Sequence, residues 1–181
     1  MDGAVCVFVA VFGLQKKDQK LNFPRSIRLD VSDANAFPIA ANDGEWSVTG
    51  TFAFADTDPE GLTNKEQLAF RNGWLGTDSF GRTTFVQVAE ISDEHLESVV
   101  SNLAGHLMDH YGAPDMAAAT QAARGEAEYT AELCDHPVGT LLGIEREFTT
   151  EGVAERIRLI PKQVDAPHAK IWSIEEDGGN G

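Results

Sequence analysis

The clearest pattern in the chain is an alternation. Trp46, Val48, Gly50, Phe52 and Phe54 take every second position against Ser47, Thr49, Thr51 and Ala53. A period of two buries one face of a strand. Asn42-Asp43-Gly44 marks a turn just before it. Other alternations predict strands from Leu21, with Ile27 and Leu29 opposite Arg28 and Asp30, and over Arg82 to Ile91. Between them, Thr63 to Asn72 can form a short helix with Leu68 toward the core. Gly73 is expected to end it as a residue tolerant of left-handed geometry.

The period changes at Ser92, an N-cap residue followed by Asp93 and Glu94 where a helix dipole favours anions. Leu96, Val99, Val100, Leu103, Leu107 and Tyr111 then recur at helical spacing. Gly112 stops this helix and Pro114 suits the first turn of the next, which runs from about Asp115 to Leu133. Its inner face is Met116, Ala119, Ala123, Ala127, Thr130 and Cys134, small enough for another helix to approach closely. So short a link predicts an antiparallel helical hairpin.

After His136-Pro137 the alternation returns. Leu141 to Thr149 and Val153 to Ile160 read as a β-hairpin around Thr150-Glu151-Gly152, and Ile171 to Ile174 as a short edge strand. In the second arm Ala154, Arg156 and Arg158 face one way, and Val153, Glu155, Ile157 and Leu159 the other. Strands on both sides of a helical pair predict an α+β fold, an antiparallel sheet with an α-helical hairpin packed on one face. A doubly wound parallel sheet would need strands and helices to alternate. The expected organisation is a single domain over residues 21–174, an apolar extension over 1–20 and an acidic, glycine-rich tail over 175–181.

The extension has its own pattern. Ala4 to Leu14 reads AVCVFVAVFGL, shorter than the roughly 17–25 residues a membrane span takes. Its basic residues, Lys16, Lys17 and Lys20, follow the apolar run instead of preceding it, unlike a signal peptide. The Val and Phe content favours an added strand.

Charge narrows the function classes. With 14 Lys and Arg against 29 Asp and Glu, the net charge is -15. Phosphate backbones and anionic lipid surfaces repel such a chain, so neither nucleic acid nor membrane is an expected partner. The hydrophobic fraction of 42% is enough to build a core. Cys6 and Cys134 make no disulfide framework and no CxxC motif, which fits a reducing cytoplasm.

Candidate chemistry is sparse. His106 and His110, at i and i+4, put two imidazoles on one helix face and are the candidate metal ligands. A third ligand is lacking, because the hairpin places Cys134 and His136 at its other end, so the favoured reading is two histidines satisfying a helix C-terminus. Cys134 with His136 and His95 has the residue types of a cysteine hydrolase, but Cys134 falls on an alanine-rich inner face and no oxyanion loop is evident. Glu126, Glu128, Glu132 and Asp135, with Asp93, Glu94 and Glu97, read as a solvated acidic surface that could dock a basic partner. The glycine-spaced loop Gly73–Gly81 is the best site candidate. Its glycines expose N–H groups, Ser79, Arg82 and Thr83 could hold an anion, and Trp74 could form an apolar wall. It lacks the Gly-Lys-Ser/Thr of a P-loop and the strand-to-helix order of a dinucleotide fingerprint. The plainer alternative is a connection whose glycines serve turns, with Trp74 and Phe80 in the core. No catalytic constellation and no cofactor motif is present.

From Leu21 onward the chain resembles an uncharacterised proteobacterial family of similar length. The resemblance is carried by RSIRLDVSD (Arg25–Asp33), GEWSVTGTFAFAD (Gly44–Asp56), NGWLGTDSFGRTTFVQVAEI (Asn72–Ile91) and GIEREFTTEGVAERIRLI (Gly143–Ile160). It implies an accessory role beside formate dehydrogenase maturation and carries no activity with it. The expectation is therefore a non-catalytic cytoplasmic protein that acts through a protein partner, with a homo-oligomer left open. The alternative is a protein that binds, or acts on, a small anionic ligand through the Gly73–Thr84 loop.

Overall fold

A computed structural model describes residues 20–161. In chain order the strands are β1 (Leu21–Ile27), β2 (Ser47–Val48), β3 (Trp74–Gly76), β4 (Arg82–Thr83), β5 (Phe85–Ile91), β6 (Leu141–Thr149) and β7 (Gly152–Ile160). The helices are α1 (Asn64–Asn72), α2 (Asp93–His110) and α3 (Met116–Glu132). β1, β5, β6 and β7 form a four-stranded sheet in the order β1-β5-β6-β7, with every neighbouring pair antiparallel. The fold is α+β, as the element pattern predicts. The expected strands over Ala4–Leu14 and Ile171–Ile174, and the 175–181 tail, lie outside the described residues.

A second small sheet, in the order β2-β3-β4, is the feature the sequence reading lacks. Adjacent strand residues point to opposite faces, and β3 uses both. Trp74 clusters with Val86, Val88, Leu142 and Ile144 of the large sheet, while Leu75 clusters with Val99, Val100 and Leu103 of α2 and the alanines of α3. The small sheet thus lies between the large sheet and the helical hairpin, which reaches the large sheet at β1 through Phe23 and at β5 through Ile91.

The helices start as their sequences dictate. Ser92 Oγ accepts from the His95 N–H, and Asp115 accepts from the Ala118 N–H. Pro114 therefore precedes α3 and does not stand in its first turn. Thr63 and Glu66 close a reciprocal capping box on α1. Ala119, Ala123, Ala127 and Thr130 are buried on the inner face of α3. Met116 is 55% exposed, because the helix begins beyond the edge of the core.

Four local expectations are corrected. The alternation from Trp46 to Phe54 gives a strand only at Ser47–Val48. Gly50 then takes φ 69° and Thr51–Phe54 winds into a 3-10 turn. The reason is polar: the carbonyls of Thr49 and Gly50 accept from buried arginines and so leave no strand ladder to extend. Leu68 is more exposed than expected, and Ala69 and Phe70 are the buried residues of α1. Gly73 is extended, with φ -93° and ψ 123°, and serves close packing, since a Cβ there would lie 2.6 Å from the Ala69 carbonyl oxygen. Leu29 lies past the end of β1 and is 55% exposed, next to Asp30, which caps the following 3-10 turn.

Leu103 of α2 is fully buried in the cluster that joins the hairpin to the small sheet. Leu103→Ala is expected to destabilise the protein by about 2–5 kcal/mol, read from chemical denaturation. A change inside measurement error would mean the helix is rotated from the phase described.

Candidate functional site

The four loop residues singled out from the sequence do not converge on one open cleft. Trp74 is fully buried, and its Nε1 has no partner among the described residues. Ser79 Oγ donates to Glu45 Oε1 at 2.8 Å. Thr83 Oγ1 donates to the carbonyls of Ile27 and Phe85 at 3.4 and 3.2 Å. Arg82 turns its guanidinium inward. It donates to the carbonyls of Thr49 (3.5 Å), Gly73 (3.2 Å) and Gly50 (3.1 Å), over the Phe54 ring at 4.7 Å. The recess that Arg82 and Thr83 share holds about 10 Å³, roughly the space of one water.

Arg82 belongs to a buried network that sequence reading missed. Arg146 of β6 has a fully buried side chain and pairs with Glu155 of β7 at 3.1 Å. Its Nη1 donates to the carbonyls of Phe70 and Gly73, both at 2.9 Å, and its Nη2 to that of Thr49. Its Nε also reaches Thr51 Oγ1 at 2.7 Å. Glu155 accepts in addition from Thr51 and, at 2.8 Å, from the Tyr129 hydroxyl of α3. Glu126 of α3 accepts from Thr49 Oγ1 at 2.7 Å and from the Gly50 N–H at 3.0 Å. Burial, then the neighbouring Arg146 cation, lowers the Arg82 pKa to about 9, and it stays charged at neutral pH. Burial first, then Glu155, raises the Tyr129 hydroxyl to about 12. The network ties α1, α3, the Thr49–Phe54 turn and both arms of the hairpin into one body. Its chemistry is that of a scaffold, because carbonyls and carboxylates of the fold take up the donors.

The signal for Arg146 was present in the alternation. Leu142, Ile144 and Arg146 share a phase on β6, and Arg146 is the register partner of Glu155. A charged residue on the inner phase of both arms of a hairpin points to a buried pair. A neighbouring hollow of about 440 Å³ adds Arg71, Glu145, Glu147 and Arg156 around this pair. Arg156 is tied to Glu145 there, and Arg158, outside the hollow, pairs with the same carboxylate.

The histidines sit at the other side of the Phe80 loop. His106 stacks on Phe80 with ring centroids 3.8 Å apart and planes 3° from parallel, and His110 lies 4.8 Å away. Among the described residues no group of three His, Cys, Asp or Glu is placed to hold a metal ion. Burial, then His110, then Arg82, pushes His106 below the usual imidazole range, with Asp109 opposing. The folded state therefore prefers the neutral ring. The stability this contributes is present above about pH 6.5 and is lost as pH falls through the folded value. His106→Phe, which keeps the stack, should lose less stability than wild type between pH 7.5 and 5.5 in urea titrations. Equal losses would show that His106 is not the titrating group.

Cys134 is fully buried and its thiol is pushed up to about 12 by desolvation, so it is no poised nucleophile. It lies at the end of a cleft of about 510 Å³ between β1, α2 and α3. Leu21, Leu96, Val100, Ala127 and Ala131 give this cleft its apolar lining, and Glu128, Glu132 and Asp135 give it an acidic rim. Its two cations are already matched, Lys20 with Glu90 at 2.8 Å and Arg124 with Glu97 at 3.0 Å. The three rim carboxylates form no ion pair among the described residues. Among these residues, too, no helix is long and apolar enough to cross a membrane.

A family of unknown function, DUF6505, matches residues 21–173, which is most of the chain and begins at the first residue of β1. No curated protein and no solved structure matches it.

Proposed function

We propose that this chain, which belongs to the DUF6505 family of unknown function, is a non-catalytic cytoplasmic accessory protein that binds a protein partner. The observation that carries the reading is the cleft beside α3, where an apolar floor meets three carboxylates that make no ion pair among the described residues. A surface of this kind suits a segment with apolar side chains flanked by lysine or arginine. The buried network supports the same reading from the other side, since Arg82 and Ser79 are committed to groups of the fold. The resemblance of Arg25–Asp33, Gly44–Asp56, Asn72–Ile91 and Gly143–Ile160 directs the search for the partner to redox-enzyme assembly, with formate dehydrogenase first.

The test is co-purification of the tagged chain with formate dehydrogenase and its maturation proteins, in parallel with Glu128→Lys/Glu132→Lys. Retention by wild type and loss by the charge-reversed variant supports the reading. Equal retention moves the contact elsewhere. A thermal-melt panel of phosphates and carboxylates runs beside it, and a specific stabilising ligand with no partner retained would overturn the reading in favour of ligand binding.

A further inference from the structure

We propose that the cleft between β1, α2 and α3 is a docking site for this chain's own apolar segment, Ala4–Leu14, so that an outside partner must displace it. The inference rests on reading that cleft as a docking surface and names its resident occupant. The first argument is the tether. Lys20 and Leu21, the first described residues, already line the cleft. Only Gln15–Gln19 separates them from Leu14, a stretch that reaches at most about 17 Å when extended. The segment is therefore held at the cleft mouth at high effective concentration.

Charge is the second argument. Lys20 and Arg124 are neutralised by Glu90 and Glu97, which leaves Glu128, Glu132 and Asp135 on the rim. Lys16 and Lys17 follow the apolar run after Gln15, and with Asp18 behind them the link keeps two cations against one anion. The other apolar stretch outside the described residues, Ile171 to Ile174, has one cation before it, Lys170, but leads straight into Glu175, Glu176 and Asp177, a net negative flank which that rim would repel. Composition is the third. Ala4–Leu14 contains no charged side chain and carries Phe8 and Phe12 among valines, the payload an apolar floor of leucine, valine and alanine would take up. The family match starts at residue 21, so the segment is an addition to the part of the chain that the family defines.

The experiment uses the full chain. A benzophenone photo-crosslinker in place of Phe8 should join the segment to peptides of α2 or α3 within the same molecule, at dilutions where no dimer forms. Crosslinks to the β7 side, to the 162–181 stretch or to a second copy would overturn the proposal, as would none at all. Hydrogen exchange provides the second readout. Phe8→Asp/Phe12→Asp, outside the domain, should speed exchange in Leu96–Val100 and Arg124–Asp135 by tenfold or more and leave β6 and β7 unchanged. No difference there refutes self-docking. If self-docking holds but the Phe8→Asp/Phe12→Asp chain gains no partner, the proposed function fails while this inference stands. If partners bind through the cleft equally with and without the two substitutions, the reverse is true.

Discussion

Arg146→Ala is expected to destabilise the protein by about 3–5 kcal/mol, the range for removing one partner of a buried ion pair. The side chain is fully buried and Glu155 is 10% exposed, so water cannot replace what is lost. Three carbonyls, those of Thr49, Phe70 and Gly73, would each lose a charge-assisted donor. Glu155 would remain in place with a hydroxyl from Tyr129 and one from Thr51 but no cation. Arg146→Lys should recover little, because one ammonium cannot reach carbonyls on α1 and on the Thr49 turn while also holding Glu155. Arg82→Ala should also cost stability, since its guanidinium bonds the Thr49, Gly50 and Gly73 carbonyls. The two losses should not add. Both arginines donate to the Thr49 and Gly73 carbonyls, and each raises the cost of burying the other's charge. A double-mutant cycle by denaturant unfolding reads this coupling directly. Additive losses, or an Arg146→Ala variant within about 0.5 kcal/mol of wild type, would refute the network as a scaffold.

That network also marks where sequence reading stopped. Periodicity located α2, α3 and the β6–β7 hairpin, because each buries one face over several turns or a full strand, and Ser92, Gly112 and the Thr150–Gly152 turn mark their limits. The small sheet escaped it, because strands two or three residues long have no period to read. The alternation at Trp46–Phe54 misled for a different reason. Both of its phases are used, Val48 in the core and Ser47 and Thr49 buried beside it, and side-chain donors from β4 and β6 stop the strand after Val48. The cleft was half legible. Glu128, Glu132 and Asp135 read as acidic surface, but only the placement of β1 against α3 shows an apolar floor between them.

Gly50→Ala is expected to cost roughly 2–5 kcal/mol, from a left-handed alanine and a steric overlap together. Gly50 has φ 69° and ψ 24°, where an L side chain brings its Cβ against the following carbonyl. The new Cβ would also overlap the Leu75 Cβ and lie 2.8 Å from Arg82 Nη1. Leu75 cannot swing away, because its Cβ is fixed by β3 and the side chain is 3% exposed in the main core. The turn would have to move instead. Movement there stretches the Gly50 N–H bond to Glu126 and the Gly50 carbonyl bond to Arg82, at 3.0 and 3.1 Å, and so loosens the network at the point where α3 meets it. Gly112→Ala is the matched control. It shares the left-handed backbone, at φ 68°, but a Cβ there meets nothing within 4 Å. Its cost should be the conformational part alone, about 1–2 kcal/mol. The difference between the two variants in denaturant unfolding measures the close approach of the Thr49–Phe54 turn to β3 and Arg82. Equal losses would show that the turn stands clear of both.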